Sequence, residues 1–186
     1  MRRRKQLAFA LLEENSAKVF GGSYLKNSNA KVARPISRSR PMHLVIRSSL
    51  ARGDRSLLKS ARRIADIVIA QGQKHHVKVY RYSNAGNHLH LMILPRDRDA
   101  YNGFVRSITG LIARVVLAVE RGNAKGLKFW DARPFTRIVA WGRDYNRVAE
   151  YLLKNTLEAI GFQPYERRKN TSIERRSLKK AAANSS

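Results

Sequence analysis

Between His76 and Leu94 the chain leaves little choice of local structure. Two runs rich in β-branched, aromatic and apolar residues, His76 to Tyr82 and His88 to Leu94, flank Ser83-Asn84-Ala85-Gly86-Asn87. The intervening residues are turn formers. Glycine tolerates positive φ, and Asn and Ser side chains close local hydrogen bonds onto the backbone. Two strand-like runs joined by so short a polar loop predict an antiparallel hairpin. The flanking segments supply what that hairpin can pack against.

Upstream, Met42 to Ser49 has the content of a buried strand. From Ser56 to Gly72, Leu57, Leu58, Ala61, Ile64, Ala65, Val68 and Ile69 recur at helical spacing, which predicts an amphipathic helix stopped by Gly72. Downstream, Phe104, Ile108, Leu111, Ile112, Val115 and Val119 mark a second helix over Tyr101 to Val119, ended by a loop from Arg121 to Gly126. A fourth strand is expected over Phe135 to Trp141, broken by Gly142. A third helix, Tyr145 to Ile160, is expected to be capped by Asp144 and stopped by Gly161. The order β-α-β-β-α-β-α predicts an α+β fold, a ferredoxin-like split β-α-β antiparallel sheet with an added C-terminal helix. Three parts follow: a basic N-terminal arm over 1–41, a folded domain over 42–162, and a basic, flexible tail over 163–186.

Charge narrows the partner. Thirty-eight Lys and Arg against 13 Asp and Glu leave a formal net charge of +25. Self-repulsion on that scale is costly unless a polyanion offsets it. Nucleic acid, an anionic membrane and an acidic protein are candidates, and nucleic acid accounts best for so much charge. No apolar run approaches the roughly 20 residues that span a bilayer. The opening residues imitate a signal peptide, but their apolar stretch, Leu7 to Leu12, is short and runs into Glu13 and Glu14. A short amphipathic helix or arm in a cytoplasmic protein is the expectation. There is no cysteine, so any metal must be held by His, carboxylate, amide or phosphate oxygen. Pro35 and Pro41 favour an extended chain over Ala33 to Pro41. Arg34, Arg38 and Arg40 in that stretch either follow a phosphate backbone or belong to a solvated linker. Arg2 to Lys5, and Arg167, Arg168 and Lys169 in the tail, are further candidate phosphate contacts.

Two groups of residues carry chemistry. His88 and His90 lie two apart on a strand and share one face, with Met92 and Leu94, while Leu89, Leu91 and Ile93 share the other. Such a pair either clasps one divalent ion or decorates the solvent face of a hairpin. On the last helix, Tyr151 and Asn155 lie one turn apart and project together, flanking the apolar stripe of Val148, Ala149, Leu152, Leu153 and Ile160. Either a phenol and a metal-capable amide meet at the helix–sheet interface, or Tyr151 packs and Asn155 faces solvent. Tyr145 is the rival tyrosine, but Ala149 stands four residues after it. His43, on the first strand, neighbours the site only if the pairing register allows. His75 and His76 fit surface or DNA contacts, and Trp130 and Trp141 are either core residues or platforms for unpaired bases. Asp131 is a weaker candidate ligand.

His-hydrophobic-His on a central strand, followed by Tyr-x-x-x-Asn on a C-terminal helix, resembles the single-tyrosine HUH transposases, including their REP-associated relatives. The resemblance runs from about Met42 to Phe162. Asn87 to Ile93 and Arg133 to Tyr145 carry it most strongly. It implies a metal-dependent single-strand DNA endonuclease and strand transferase. His88 and His90 would hold Mg²⁺ or Mn²⁺, with Asn155 as the third ligand, and Tyr151 would form a covalent 5′-phosphotyrosine. Free phenols titrate near 10, so the metal or a base must assist. The family pattern has Gln where this chain has Asn155, a side chain one methylene shorter. The resemblance also implies single-stranded DNA, hairpins included, as partner. It implies a homodimer, with the tyrosine helix serving its own or the partner's histidines. The alternative is a non-catalytic, domesticated nucleic-acid-binding protein that keeps these side chains. A base-stacking RNA-binding sheet is disfavoured, because no strand carries the aromatic run it needs.

Overall fold

The computed structural model describes residues 19–21, 33–118 and 128–164. Five strands form one antiparallel sheet: β1 (Phe20–Gly21), β2 (Met42–Arg47), β3 (Val77–Asn84), β4 (His88–Pro95) and β5 (Phe135–Ile138), in the order β1-β5-β2-β4-β3. Among the described residues three α-helices accompany it: α1 (Ala61–Lys74), α2 (Arg98–Leu117) and α3 (Arg143–Ala159). Strands β2 to β5 and helices α1 and α2 are the expected split β-α-β arrangement, and α3 is the added helix. The two-residue strand β1 was not expected. It comes from the stretch assigned to the arm and pairs Phe20 with Arg137 and Gly21 with Thr136.

Alternation along the strands divides the molecule into two layers of apolar contact. Met42, Leu44 and Ile46 of β2, with Leu89, Leu91 and Ile93 of β4, meet α1 through Ile64 and Val68. The same face meets α2 through Tyr101, Phe104, Ile108 and Ile112. Each fully buried side chain here, Phe104 and Leu91 among them, stabilises the fold by roughly 1.5–3 kcal/mol. The opposite face carries a smaller cluster of Met92, Val139, Val148 and Leu152, covered by α3. The His88–His90 pair therefore lies under or beside α3 and away from the main core.

Local chemistry sets the element ends. The β3–β4 turn is held by Asn84, whose Nδ2 donates to the Leu57 carbonyl at 2.9 Å and whose Oδ1 accepts from the Gly86 N–H at 3.0 Å. Gly86 takes φ +83°, a conformation that strains any residue with a Cβ. Several boundaries differ from expectation. The first helix is preceded by 3₁₀ turns over Gly53–Arg55 and Leu57–Ser60 and becomes α-helical only at Ala61. The second starts at Arg98, because the Asp97 side chain accepts the Ala100 N–H at 2.8 Å and caps it. Strand β5 ends at Ile138, short of Trp141. There the Ala140 N–H turns away to donate to Asp144 Oδ2 at 3.1 Å, and the Trp141 indole donates to the Ser39 carbonyl at 2.8 Å. Asp144 lies inside the first turn of α3 instead of capping it, and Gly142 at φ +85° makes the corner. No helix among the described residues is long and apolar enough to cross a membrane.

Candidate active site

Strand β4 places His88 and His90 on the α3 side of the sheet, as their spacing requires, with ring centroids 4.6 Å apart and nearly perpendicular. His88 is half-buried, and its Nδ1 donates to Asn87 Oδ1 at 2.5 Å. His90 is buried. Strand β2 runs beside β4 with Val45 opposite His90 and His43 opposite Met92, so His43 lies diagonal to His90 on the same face. Their rings stack at 5.2 Å, and His43 Nε2 and His90 Nδ1 share a hydrogen bond of 3.0 Å.

Helix α3 brings the tyrosine to this group. The Tyr151 ring stands perpendicular to His90 at 5.4 Å and edge-on to His43 at 6.2 Å. Within the chain, Tyr151 thus lies against one histidine of the HxH pair and against His43. The helix is pinned in register one turn further on. The Thr156 hydroxyl and the Ser83 hydroxyl share a 2.9 Å hydrogen bond, and Ser83 is the strand partner of His90. Asn155, adjacent to Thr156, is buried rather than solvent-facing. The start of the helix is pinned as well. Arg137, the strand partner of His43, makes a two-pronged ion pair with Asp144 at 3.0 and 3.2 Å. Burial pushes the Asp144 carboxyl upward, but the hydrogen bonds from Arg137 and the Ala140 N–H outweigh it and hold it below its usual range.

His43 is the residue whose part in the site the sequence left open. On β2 it has the parity opposite to Met42, Leu44 and Ile46, which marked its face; only the pairing with β4 shows that it reaches His90. Burial, with the nearby Arg137 charge as the second cause, lowers its pKa from 6.5 to about 4. It is therefore neutral at physiological pH. The unfolded chain binds a proton at His43 below about 6.5, while the folded chain resists until about 4. The stability tied to His43 is thus fully present above about 6.5 and is lost as pH falls toward 4. The loss reaches on the order of 3 kcal/mol. Melting temperatures measured from pH 7 downward should fall more steeply in the wild type than in His43→Gln. Parallel curves would remove His43 as the cause.

The other candidates fall elsewhere. Tyr145 packs against Tyr80 and Trp141 at the start of α3. His75 ends α1 and pairs through Nε2 with the Ser107 hydroxyl at 2.9 Å, while His76 is exposed in the turn before β3 at φ +54°. Trp130 donates its indole N–H to the Thr109 carbonyl at 2.9 Å and packs against the main core. Asp131 accepts from the Ser49 N–H and hydroxyl at 2.8 and 2.7 Å, a link between loops. Arg34 is half-buried. Its Nη1 donates to the Gly21 carbonyl at 2.8 Å and to the Thr136 hydroxyl at 2.7 Å, and its guanidinium lies over Tyr101. That clasps β1 to β5 and ties up donors expected to reach phosphate. Arg38 and Arg40 are exposed. Arg2 to Lys5, Arg167, Arg168 and Lys169 lie outside the described residues.

No protein-family model matches the chain, and no curated protein sequence matches it. Solved structures do. A REP-associated tyrosine transposase bound to a REP hairpin superposes with a TM-score of 0.55 at 16% identity, over 70% of this chain and 74% of that one. A protein from Deinococcus radiodurans R1, provisionally described as a transposase, superposes with a TM-score of 0.42 at 15% identity, over 68% of this chain and 98% of that one. The first likeness establishes that this chain has the fold of a REP-associated tyrosine transposase.

Proposed function

We propose that the chain is a metal-dependent single-strand DNA endonuclease and strand transferase, a transposase in kind, with Tyr151 as nucleophile. The observation that carries the reading is the convergence of Tyr151 on His90, at 5.4 Å, from an element far away in sequence. A charge of +25 supports a nucleic-acid substrate, and the shared fold supports the transposase class. The solved transposase holds a REP hairpin, which makes a hairpin with unpaired flanks the first DNA to try.

The donor set fits a hard or borderline divalent ion. Among the described residues no three His, Cys, Asp or Glu cluster as a ready ligand set. Two imidazoles 4.6 Å apart do offer nitrogen donors, and Asn155, buried one turn after Tyr151, would add an amide oxygen. In both rings Nδ1 has a protein partner, Asn87 for His88 and His43 for His90, so Nε2 would be the ligating nitrogen. Mg²⁺ or Mn²⁺ held there would offset charge building on the scissile phosphate. His43 fixes the His90 ring, and Ser83 with Thr156 fixes the helix that presents the phenol. The Tyr151 oxygen attacks phosphorus and the P–O3′ bond breaks. The 3′ oxygen leaves as a hydroxyl, and a 5′-phosphotyrosine remains. A 3′-hydroxyl from a second strand then attacks the same phosphorus, returning the phenol and sealing the new strand without ATP.

The test is cleavage of end-labelled single-stranded hairpins, including sequences beside the gene, with Mg²⁺ or Mn²⁺ and with EDTA. A metal-dependent protein–DNA adduct that resists denaturation is the expected result. Tight binding with no adduct on any of these strands would sink the catalytic reading in favour of a binding-only protein.

A further inference from the structure

Trp141 sits where an indole has little structural reason to be. It is 48% exposed, outside the buried cluster of Met92, Val139, Val148 and Leu152. It is nonetheless held firmly. Its indole N–H donates to the Ser39 carbonyl, Tyr80 meets it edge-on at 5.4 Å, and Tyr145 lies tilted beside it at 5.2 Å. An aromatic ring fixed in place yet half in water costs little rotamer entropy when a second flat ring covers it. The surroundings say what kind of ring. Arg38 and Arg40 are exposed on either side of Ser39, and Arg143 is exposed two residues after Trp141. The nearby acid, Asp144, is already neutralised by Arg137. Tyr80 also lines an open cleft of about 830 Å³ whose wall is partly apolar, with Ile69, Val79 and Leu94, and partly basic, with Arg38, Lys78 and Arg96. A half-exposed indole bonded between two exposed arginines and followed by a third matches one ligand chemistry, an unpaired nucleobase on a phosphate chain.

We infer that Trp141, supported by Tyr80 and Tyr145, is a stacking subsite for an unpaired base of the strand that Tyr151 cuts. The subsite deepens the nuclease reading and rests on it for its place along the strand. Tyr145, beside which Trp141 lies, and Tyr151 share α3, six residues or about 9 Å apart along its axis. The stacked base therefore belongs to the single-stranded flank close to the scissile phosphate. Stacking of this kind tolerates any base, because every base has a π face. It selects unpaired DNA over duplex and leaves sequence reading to other contacts.

The test uses the full chain carrying Tyr151→Phe, so that binding is read without chemistry. Indole emission is followed while a short oligothymidylate, or an abasic oligomer with the same number of phosphates, is added. The thymidylate should quench the Trp141 share of the emission and the abasic strand should not. Adding Trp141→Ala should weaken thymidylate binding by about 5- to 150-fold, the loss of one base–aromatic stack, and leave the abasic strand unaffected. Trp141→Phe, which keeps a ring, should recover much of the difference and guards against a folding artefact. Unchanged thymidylate affinity in Trp141→Ala, or equal weakening of both strands, overturns the subsite. So does quenching that follows protein concentration instead of DNA, which would assign the surface to a second copy of the chain. Base-dependent quenching in a protein whose wild type forms no adduct would keep the subsite and sink the nuclease reading alone.

Discussion

Tyr151→Phe should abolish the covalent protein–DNA adduct and lower strand cleavage by roughly four orders of magnitude or more, as expected when a nucleophile is removed. The substitution takes away one oxygen and keeps the ring. The edge contacts with His90 and His43 survive, so the variant tests the oxygen and not the packing of the ring. Tyr145→Phe is the matched control. Tyr145 lies tilted beside Trp141 and edge-on to Tyr80 at the start of α3; the substitution keeps that ring and removes only its hydroxyl, so adduct formation should stay within a few-fold of wild type. Denaturing gels of labelled strands read both variants, and acid hydrolysis of the adduct should release phosphotyrosine. An adduct that persists in Tyr151→Phe and disappears in Tyr145→Phe would move the nucleophile about 1.7 turns toward the helix start.

Much of this geometry was legible because it depends on period. A two-residue repeat fixed the shared face of His88 and His90, and a 3.6-residue repeat put Tyr151 beside Val148 and Leu152, which α3 buries, although Leu153 and Ile160 of the same expected stripe are exposed. The fold class followed from element order, and the hairpin from its turn residues. Pairing between strands distant in sequence was not legible, since no local pattern encodes register. His43 shows the consequence. Its parity on β2 was readable, but its bond to His90 comes from β2 lying next to β4. Arg34 shows another. In sequence it is one arginine among many in a basic stretch, yet β1 and β5 turn it into an internal clasp. Strand β1 escaped notice because two residues carry no periodicity at all. Trp141 looked like the end of a strand, and its exposure arises only because Asp144 and Ser39 bend the chain before it.

His88→Ala and His90→Ala should cost similar amounts of activity and very different amounts of stability. If the two imidazoles hold one ion, removing either withdraws the several kcal/mol that bound metal contributes, about two to four orders of magnitude in cleavage. Stability follows burial instead. His90 is 3% exposed, shares a hydrogen bond with His43 and touches Tyr151, so His90→Ala opens a gap and strands His43 Nε2 in a buried setting. A polar atom left that way costs about 1–3 kcal/mol, before any cavity cost. His88 is half-buried and its Nδ1 bonds to Asn87, its neighbour in sequence, so His88→Ala should cost less stability than His90→Ala. Urea unfolding and adduct assays on both variants separate the effects. A third reading comes from Mn²⁺ alone, which should raise the melting temperature of the wild type and of neither variant, since an ion stabilises only the state that binds it. Should His88→Ala keep full activity while His90→Ala merely unfolds, the histidines would be packing and hairpin decoration, and the positive charge would have to be explained by binding without cleavage.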